Sequence, residues 1–155
     1  MKAAQDWIKQ LDLEPHPEGG FYQRIYTSPT MLENEQPSAT SIHYLLEKDD
    51  FSAWHRIQQD EIWYFHEGSP LIIRQLTPSG QLKEETLSLN HQLHVLVPAN
   101  TWFCAEPIIH NSSPYSLVSC IVTPGFRFED FELGNAEELV NLYPRHRDII
   151  CRLCR

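Results

Sequence analysis

The run Trp54-His55-Arg56-Ile57-Gln58-Gln59-Asp60-Glu61-Ile62-Trp63-Tyr64-Phe65-His66-Glu67-Gly68 sets an imidazole and a carboxylate six positions apart, across the junction of two strand-like segments. A histidine with an ordinary pKa of about 6.5 moves protons at neutral pH with little tuning. His55 and Glu61 are therefore the catalytic candidates, a neutral His55 acting as general base while Glu61 orients it. Isomerisation or epimerisation beside a carbonyl is the chemistry such a pair suits. Side chains alternate across a strand, so if Glu61 points inwards Trp63 and Phe65 follow it, while His55 shares a face with Ala53 and Ile57. The hollow so predicted is aromatic and apolar with a few polar groups, the usual make-up of a small-molecule site. The competing explanation is structural: His55 and Glu61 would satisfy each other by a hydrogen bond inside an ordinary core.

Further residues are candidates to line the same hollow. His43 lies on an earlier predicted strand and His94 on the strand leading into Pro98. With Trp63, Phe65 and Phe103 they make the expected ligand-binding set, although Trp63 and Phe103 suit plain barrel core equally well. Arg24, Arg56 and Arg74 are candidates to anchor an anionic substrate, against the commoner fate of a solvated arginine. Cys151-Arg152-Leu153-Cys154 with His146 upstream has CxxC spacing, but it supplies at most three ligands and lacks the βαβ context of a redox motif. Pro17-Glu18-Gly19-Gly20 is too short for a phosphate loop, and its glycines serve a turn into the strand at Phe21. Nothing resembles a nucleophile elbow.

The elements that must position these residues are short and β-like. Predicted strands are Phe21–Thr27, Thr40–Leu46, Phe51–Ile57, Ile62–His66, Leu71–Leu76, Leu82–Leu87, Leu93–Val97, Trp102–Glu106 and Ser116–Thr123, rich in β-branched and aromatic residues and separated by turn residues. So many strands in so short a span imply an all-β sandwich or barrel. Helical period occurs only at the ends: Trp7, Ile8 and Leu11 within Ala3 to Leu11, and a capped start at Asn135-Ala136-Glu137-Glu138 before Leu139-Val140 and Leu142. Residues 28–38 are the longest polar connection, a surface loop or a lid.

At 155 residues the chain fits one domain, large enough to bury about 68–70% of its unfolded surface. The division expected is an N-terminal helix and Pro/Gly turn over 1–20, a barrel over 21–133 and a helical tail over 134–155. Twenty-one acidic against twelve basic residues give a formal net charge of -9, which disfavours nucleic acid as a partner. The basic residues of the tail, Arg145 to Arg155, read as a solvated helix face. No segment approaches the roughly 18 apolar residues of a membrane span and no signal peptide opens the chain, so a cytoplasmic location is expected. There the four cysteines are reduced thiols.

The blocks Pro15-His16-Pro17-Glu18-Gly19-Gly20-Phe21-Tyr22, Trp54-His55-Arg56 with Asp60-Glu61-Ile62-Trp63, and Pro124-Gly125-Phe126-Arg127-Phe128-Glu129-Asp130-Phe131-Glu132-Leu133 resemble, in the same order, a branch of small, largely uncharacterised single-domain cupins. The resemblance implies a double-stranded β-helix, or jelly roll, with short N- and C-terminal helices, one pocket per barrel and a homodimer. A metal-binding cupin is similar to His-x-His-x3-4-Glu followed later by a histidine in the second motif. On this chain those positions carry His55, Ile57, Glu61 and Phe103, and neither Ile57 nor Phe103 offers a lone pair. No cofactor is therefore expected. A divalent metal would need a substitute set such as His55, Glu61 and His94.

Three functional classes follow. One is a metal-independent isomerase or epimerase acting on a small polar metabolite. Another is a binding or sensory protein that holds a ligand unchanged, and the third is a metal-dependent cupin oxygenase or isomerase.

Overall fold

The structure, a computed structural model, describes residues 2–109 and 114–155. Met1, counted above in the N-terminal segment, lies outside the described residues. Helix α1 (Ala4–Gln10) is followed by β1 (Glu14–Pro15), β2 (Phe21–Thr27), β3 (Thr40–Glu47), β4 (Ser52–Arg56), β5 (Asp60–Gly68), β6 (Leu71–Leu76), β7 (Leu82–Leu87), β8 (His94–Val97), β9 (Trp102–Pro107), β10 (Tyr115–Thr123) and β11 (Glu132–Leu133). Helices α2 (Ala136–Leu142) and α3 (Arg147–Arg152) follow. The strands form two antiparallel sheets, β1-β2-β3-β10-β5-β8 and β11-β4-β9-β6-β7, which face each other as a jelly roll. Alternation does what the sequence predicts on β5, where Glu61, Trp63 and Phe65 are buried and Asp60, Tyr64 and His66 exposed.

Three cores explain which strands are buried on one face and which on both. The barrel interior holds Tyr44, Leu46, Trp63, Phe65, Ile73, Val97, Phe103 and Cys120. Under α1, Leu45, Tyr115 and Leu117 meet Trp7, Ile8 and Leu11. Outside the five-stranded sheet, Trp54, Trp102 and Cys104 pack against Leu139, Ile150 and Leu153 of the C-terminal segment. Each fully buried large side chain contributes roughly 1.5–3 kcal/mol. The cover over Trp54 makes Ser52, Ala53, Trp54 and His55 all buried, so the strand that carries His55 is held from both sides.

One expectation changes. The basic tail is not merely a solvated face: Arg152 pairs with Glu106 and Arg155 with Asp50, both on the body of the molecule. The 28–38 connection is pinned at one end, because the buried Gln36 donates from Nε2 to the Gly125 carbonyl at 2.7 Å. Asn135 caps α2 as the sequence predicts, its side chain accepting the Glu138 N–H at 3.1 Å. The two-residue strands β1 and β11 carry too little pattern to be seen in sequence.

Candidate functional site

The polar centre of the barrel is built by a turn and two strands. Between β1 and β2 the chain bends through Gly19 and Gly20, at φ of +110° and +73°. A Cβ on Gly19 would lie 2.1 Å from the Phe51 carbonyl oxygen, and one on Gly20 2.7 Å from that of Leu45, so only glycine fits. The bend directs Glu18 into the barrel. It is anchored from several directions: the Ala53 N–H donates to the Glu18 carbonyl at 2.8 Å, Gly20 N–H to Asp50 Oδ2 at 2.8 Å, and the Tyr44 hydroxyl to the Gly19 carbonyl at 2.6 Å. Arg155 donates from Nε to the same Glu18 carbonyl at 3.1 Å, pairs with Asp50 and stacks 4.2 Å from the Phe51 ring.

His55, only 2% exposed, donates from Nδ1 to the Ala53 carbonyl at 2.7 Å and places Nε2 3.0 Å from Glu18 Oε2. The other Glu18 oxygen accepts the Ser52 hydroxyl at 2.9 Å. Burial would raise the Glu18 pKa, but the His55 charge and hydrogen bond, with His16 and Ser52, outweigh it and hold the carboxyl at about 2. Burial likewise lowers His55, and Glu18 more than reverses it, so the imidazole is raised. The two form an imidazolium–carboxylate pair. Glu61, 7% exposed on β5, has no such neutralising contact. Burial raises it, and the Glu18 charge adds to that against the opposing charge of His55 and the Cys120 and Trp63 donors; the result is a pKa of about 7. The Trp63 indole N–H itself finds no acceptor at full hydrogen-bond geometry. His16 accepts the Glu18 N–H on Nδ1 at 3.1 Å, which puts its own proton on Nε2, and burial lowers its pKa.

These groups line one pocket, whose enclosed space is about 30 Å³. His16, Glu18, His55, Glu61 and Cys120 supply its polar lining, Tyr22, Phe126 and Phe131 its aromatic wall, and Arg24 its cation. The His16 ring stands edge-on to Tyr22 with centroids 4.6 Å apart.

His55 and Glu61 are thus brought to one pocket, but the carboxylate that engages His55 is Glu18, and a neutral His55 oriented by Glu61 is not what the geometry provides. Trp63, Phe65 and Phe103 belong to the barrel core rather than the pocket lining; the Phe103 ring lies 4.1 Å from that of His55. His43 and His94 are on the other face. His43 shares its side of β3 with Leu45 and bonds the Ser119 hydroxyl at 3.2 Å, 6.1 Å from His66. His94 stands opposite Tyr64, exposed, so register alone keeps it from meeting inward-facing Glu61. The substitute metal set His55, Glu61 and His94 is therefore not assembled. Both His55 nitrogens are occupied, Ile57 and Phe103 fill the other cupin ligand positions, and among the described residues no group of three or more His, Cys, Asp or Glu is arranged to hold a metal ion. The residues present do not fit a cupin metal.

Arg56 pairs with Glu132 and Arg74 with Glu84 and Glu106; of the three arginines considered, Arg24 alone lines the pocket. Sequence reasoning missed Glu18 and His16. The available signal was a charged residue set between Pro17 and Gly19-Gly20, where a turn has no need of one.

A family model described as "Cupin superfamily (DUF985)" matches residues 5–134. The chain is 40% identical to protein SO0799 from Shewanella oneidensis, covering 100% of this chain and 99% of that one with a TM-score of 0.93. It is 30% identical to a hypothetical protein from Leishmania major, covering 99% of each chain at a TM-score of 0.91. Oxalate decarboxylase from Bacillus subtilis shares the fold alone: 11% identity, TM-score 0.60, over 92% of this chain and 37% of that one. Comparison with curated proteins found no match.

Proposed function

The chain belongs to the cupin superfamily, in the family DUF985, and we propose that it binds a small polar metabolite in its barrel and moves a proton on it through Glu61. The observation that carries this reading is the contrast between two buried carboxyls of one pocket: Glu18 is paired with His55 at 3.0 Å and with Ser52 at 2.9 Å, which lowers it, whereas Glu61 is buried without an ion pair, which raises it. Environments that push two acids apart in this way mark acid and base roles. Glu61 is the group poised to exchange a proton at neutral pH. Glu18 and His55 form a fixed ion pair beside Glu61, with both His55 N–H groups taken by Glu18 and Ala53. His16, with its proton on Nε2, supplies a neutral donor on the pocket wall.

The reaction class that fits is proton abstraction beside a carbonyl, an isomerisation or epimerisation. Glu61 takes the proton from carbon, the carbonyl oxygen carries the charge, and the proton returns to carbon. No oxidant or reductant is consumed. The test begins with the ligand retained through purification and identified by native mass spectrometry. In deuterated water it gains deuterium beside its carbonyl with the wild type and at least roughly 100-fold more slowly with Glu61→Gln, the usual scale of a positioned acid or base. The wild-type rate rises with pH and levels off above about 7, because the base form of Glu61 is the ionised one. Equal recovery of unchanged ligand from both proteins sinks the proton transfer and leaves a binding protein.

A further inference from the structure

In this acidic chain, arginines are mostly spoken for: Arg56, Arg74, Arg127, Arg152 and Arg155 each sit within ion-pair distance of a carboxylate. Arg24 differs. Among the described residues it has no ion-pair partner, and its side-chain hydrogen bond is a long one, 3.4 Å, to Thr27 Oγ1. Yet it lines the pocket that also holds Glu61.

Register places the two. Arg24 is opposite Ile42 of β3, Ile42 opposite Cys120 of β10, and Cys120 opposite Trp63 of β5, which shares its face with Glu61. Arg24, exposed at the rim, and buried Glu61 thus lie on the same side of the sheet, three strand spacings or about 14 Å of curved sheet apart. Deeper in, the charge of Glu18 is answered by His55 at 3.0 Å, so the unanswered charge at this end of the pocket is that of Arg24. One guanidinium matches one carboxylate in bidentate fashion. A doubly charged phosphate would require further cations, which the lining does not supply.

We propose that Arg24 selects the substrate as a short-chain oxo acid, holding its carboxylate at the pocket mouth so that the C–H beside its carbonyl reaches Glu61. This rests on the proton-transfer reading of Glu61. The C–H electron pair becomes the enolate double bond, the carbonyl oxygen takes the charge, Glu61 holds the proton and then returns it.

The probes are 2-oxobutyrate and its uncharged amide, 2-oxobutanamide, with binding followed by calorimetry and C3 deuterium uptake by NMR. The wild type binds the acid roughly 10- to 100-fold more tightly than the amide, the scale of one charge-assisted hydrogen-bonded pair. Arg24→Gln abolishes that preference, and Arg24→Lys keeps part of it, since a point charge replaces a planar fork. Equal wild-type affinity for acid and amide, an acid affinity unmoved by Arg24→Gln, or no acid binding overturns the proposal. Acid binding that needs Arg24 but brings no deuterium uptake upholds the selection and removes the proton transfer. Deuterium uptake as fast on the amide as on the acid does the reverse.

Discussion

The outer face of the six-stranded sheet and the barrel interior carry the same kinds of side chain in opposite circumstances. On the outer face His43 and His66 flank the Ser119 hydroxyl, partly open to solvent, and both are lowered by burial without a carboxylate to counter it. Inside the barrel His55 is fully enclosed and yet raised, because Glu18 lies 3.0 Å away. Burial alone pushes an imidazole towards neutrality; a fixed carboxylate at hydrogen-bond distance reverses the sign. A histidine in a strand is therefore uninformative until its partner is known, and here the partner comes from a distant turn.

The largest expected contrast is in stability. Glu18→Ala leaves a buried imidazolium uncompensated and should cost about 3–5 kcal/mol, read from the urea unfolding midpoint at neutral pH. A loss no greater than that of an outer-face histidine variant would mean the inner pair is not an ion pair.

Next is the pH dependence of Glu61→Gln. The folded pKa of Glu61, about 7, lies above its ordinary 4.5, so the native state binds the extra proton between those values and wild-type stability falls as pH rises through that window. At 1.36 kcal/mol per unit the glutamine variant gains about 3 kcal/mol on the wild type between pH 4.5 and 8. Glu18 runs the other way: its contribution is present above 4.5 and lost as pH falls towards 2. His55, being raised, contributes below its ordinary 6.5 and loses that contribution as pH climbs through its folded value. A flat difference curve for Glu61→Gln would show that this carboxyl is not held protonated.

Arg155→Ala removes the clamp on the Glu18–Gly20 bend and should cost about 1–2 kcal/mol, the range for hydrogen bonds involving a partly exposed charge; slower deuterium uptake on the bound ligand would accompany it. Smallest of all is His43→Ala on the outer face, below about 0.5 kcal/mol by the same unfolding measurement.

Much of the fold was legible because its signals are local. The strands Phe21–Thr27, Leu71–Leu76 and Leu82–Leu87 have the bounds that alternation and turn residues predict, and the Asn135 cap forms as its spacing requires. Half of the candidate site was legible for the same reason: His55 and Glu61 sit on consecutive strands, one in each sheet, and both are buried. Glu18 was not, because Pro17 and Gly19-Gly20 explain a turn completely and say nothing of where its acid points. That depends on Phe51 and Leu45 carbonyls approaching too closely for any Cβ, a fact of tertiary packing. His43 and His94 failed for the complementary reason: their strands were found, but an alternating pattern assigns a face only relative to a known core residue.

The Trp63 indole, sealed in the core on the same face of β5 as Glu61, has an optical consequence. A chromophore so placed senses the appearance of a neighbouring negative charge, so in a variant with Trp7, Trp54 and Trp102 replaced by phenylalanine, the emission should titrate with Glu61 and report directly whether the acid is loaded with its proton.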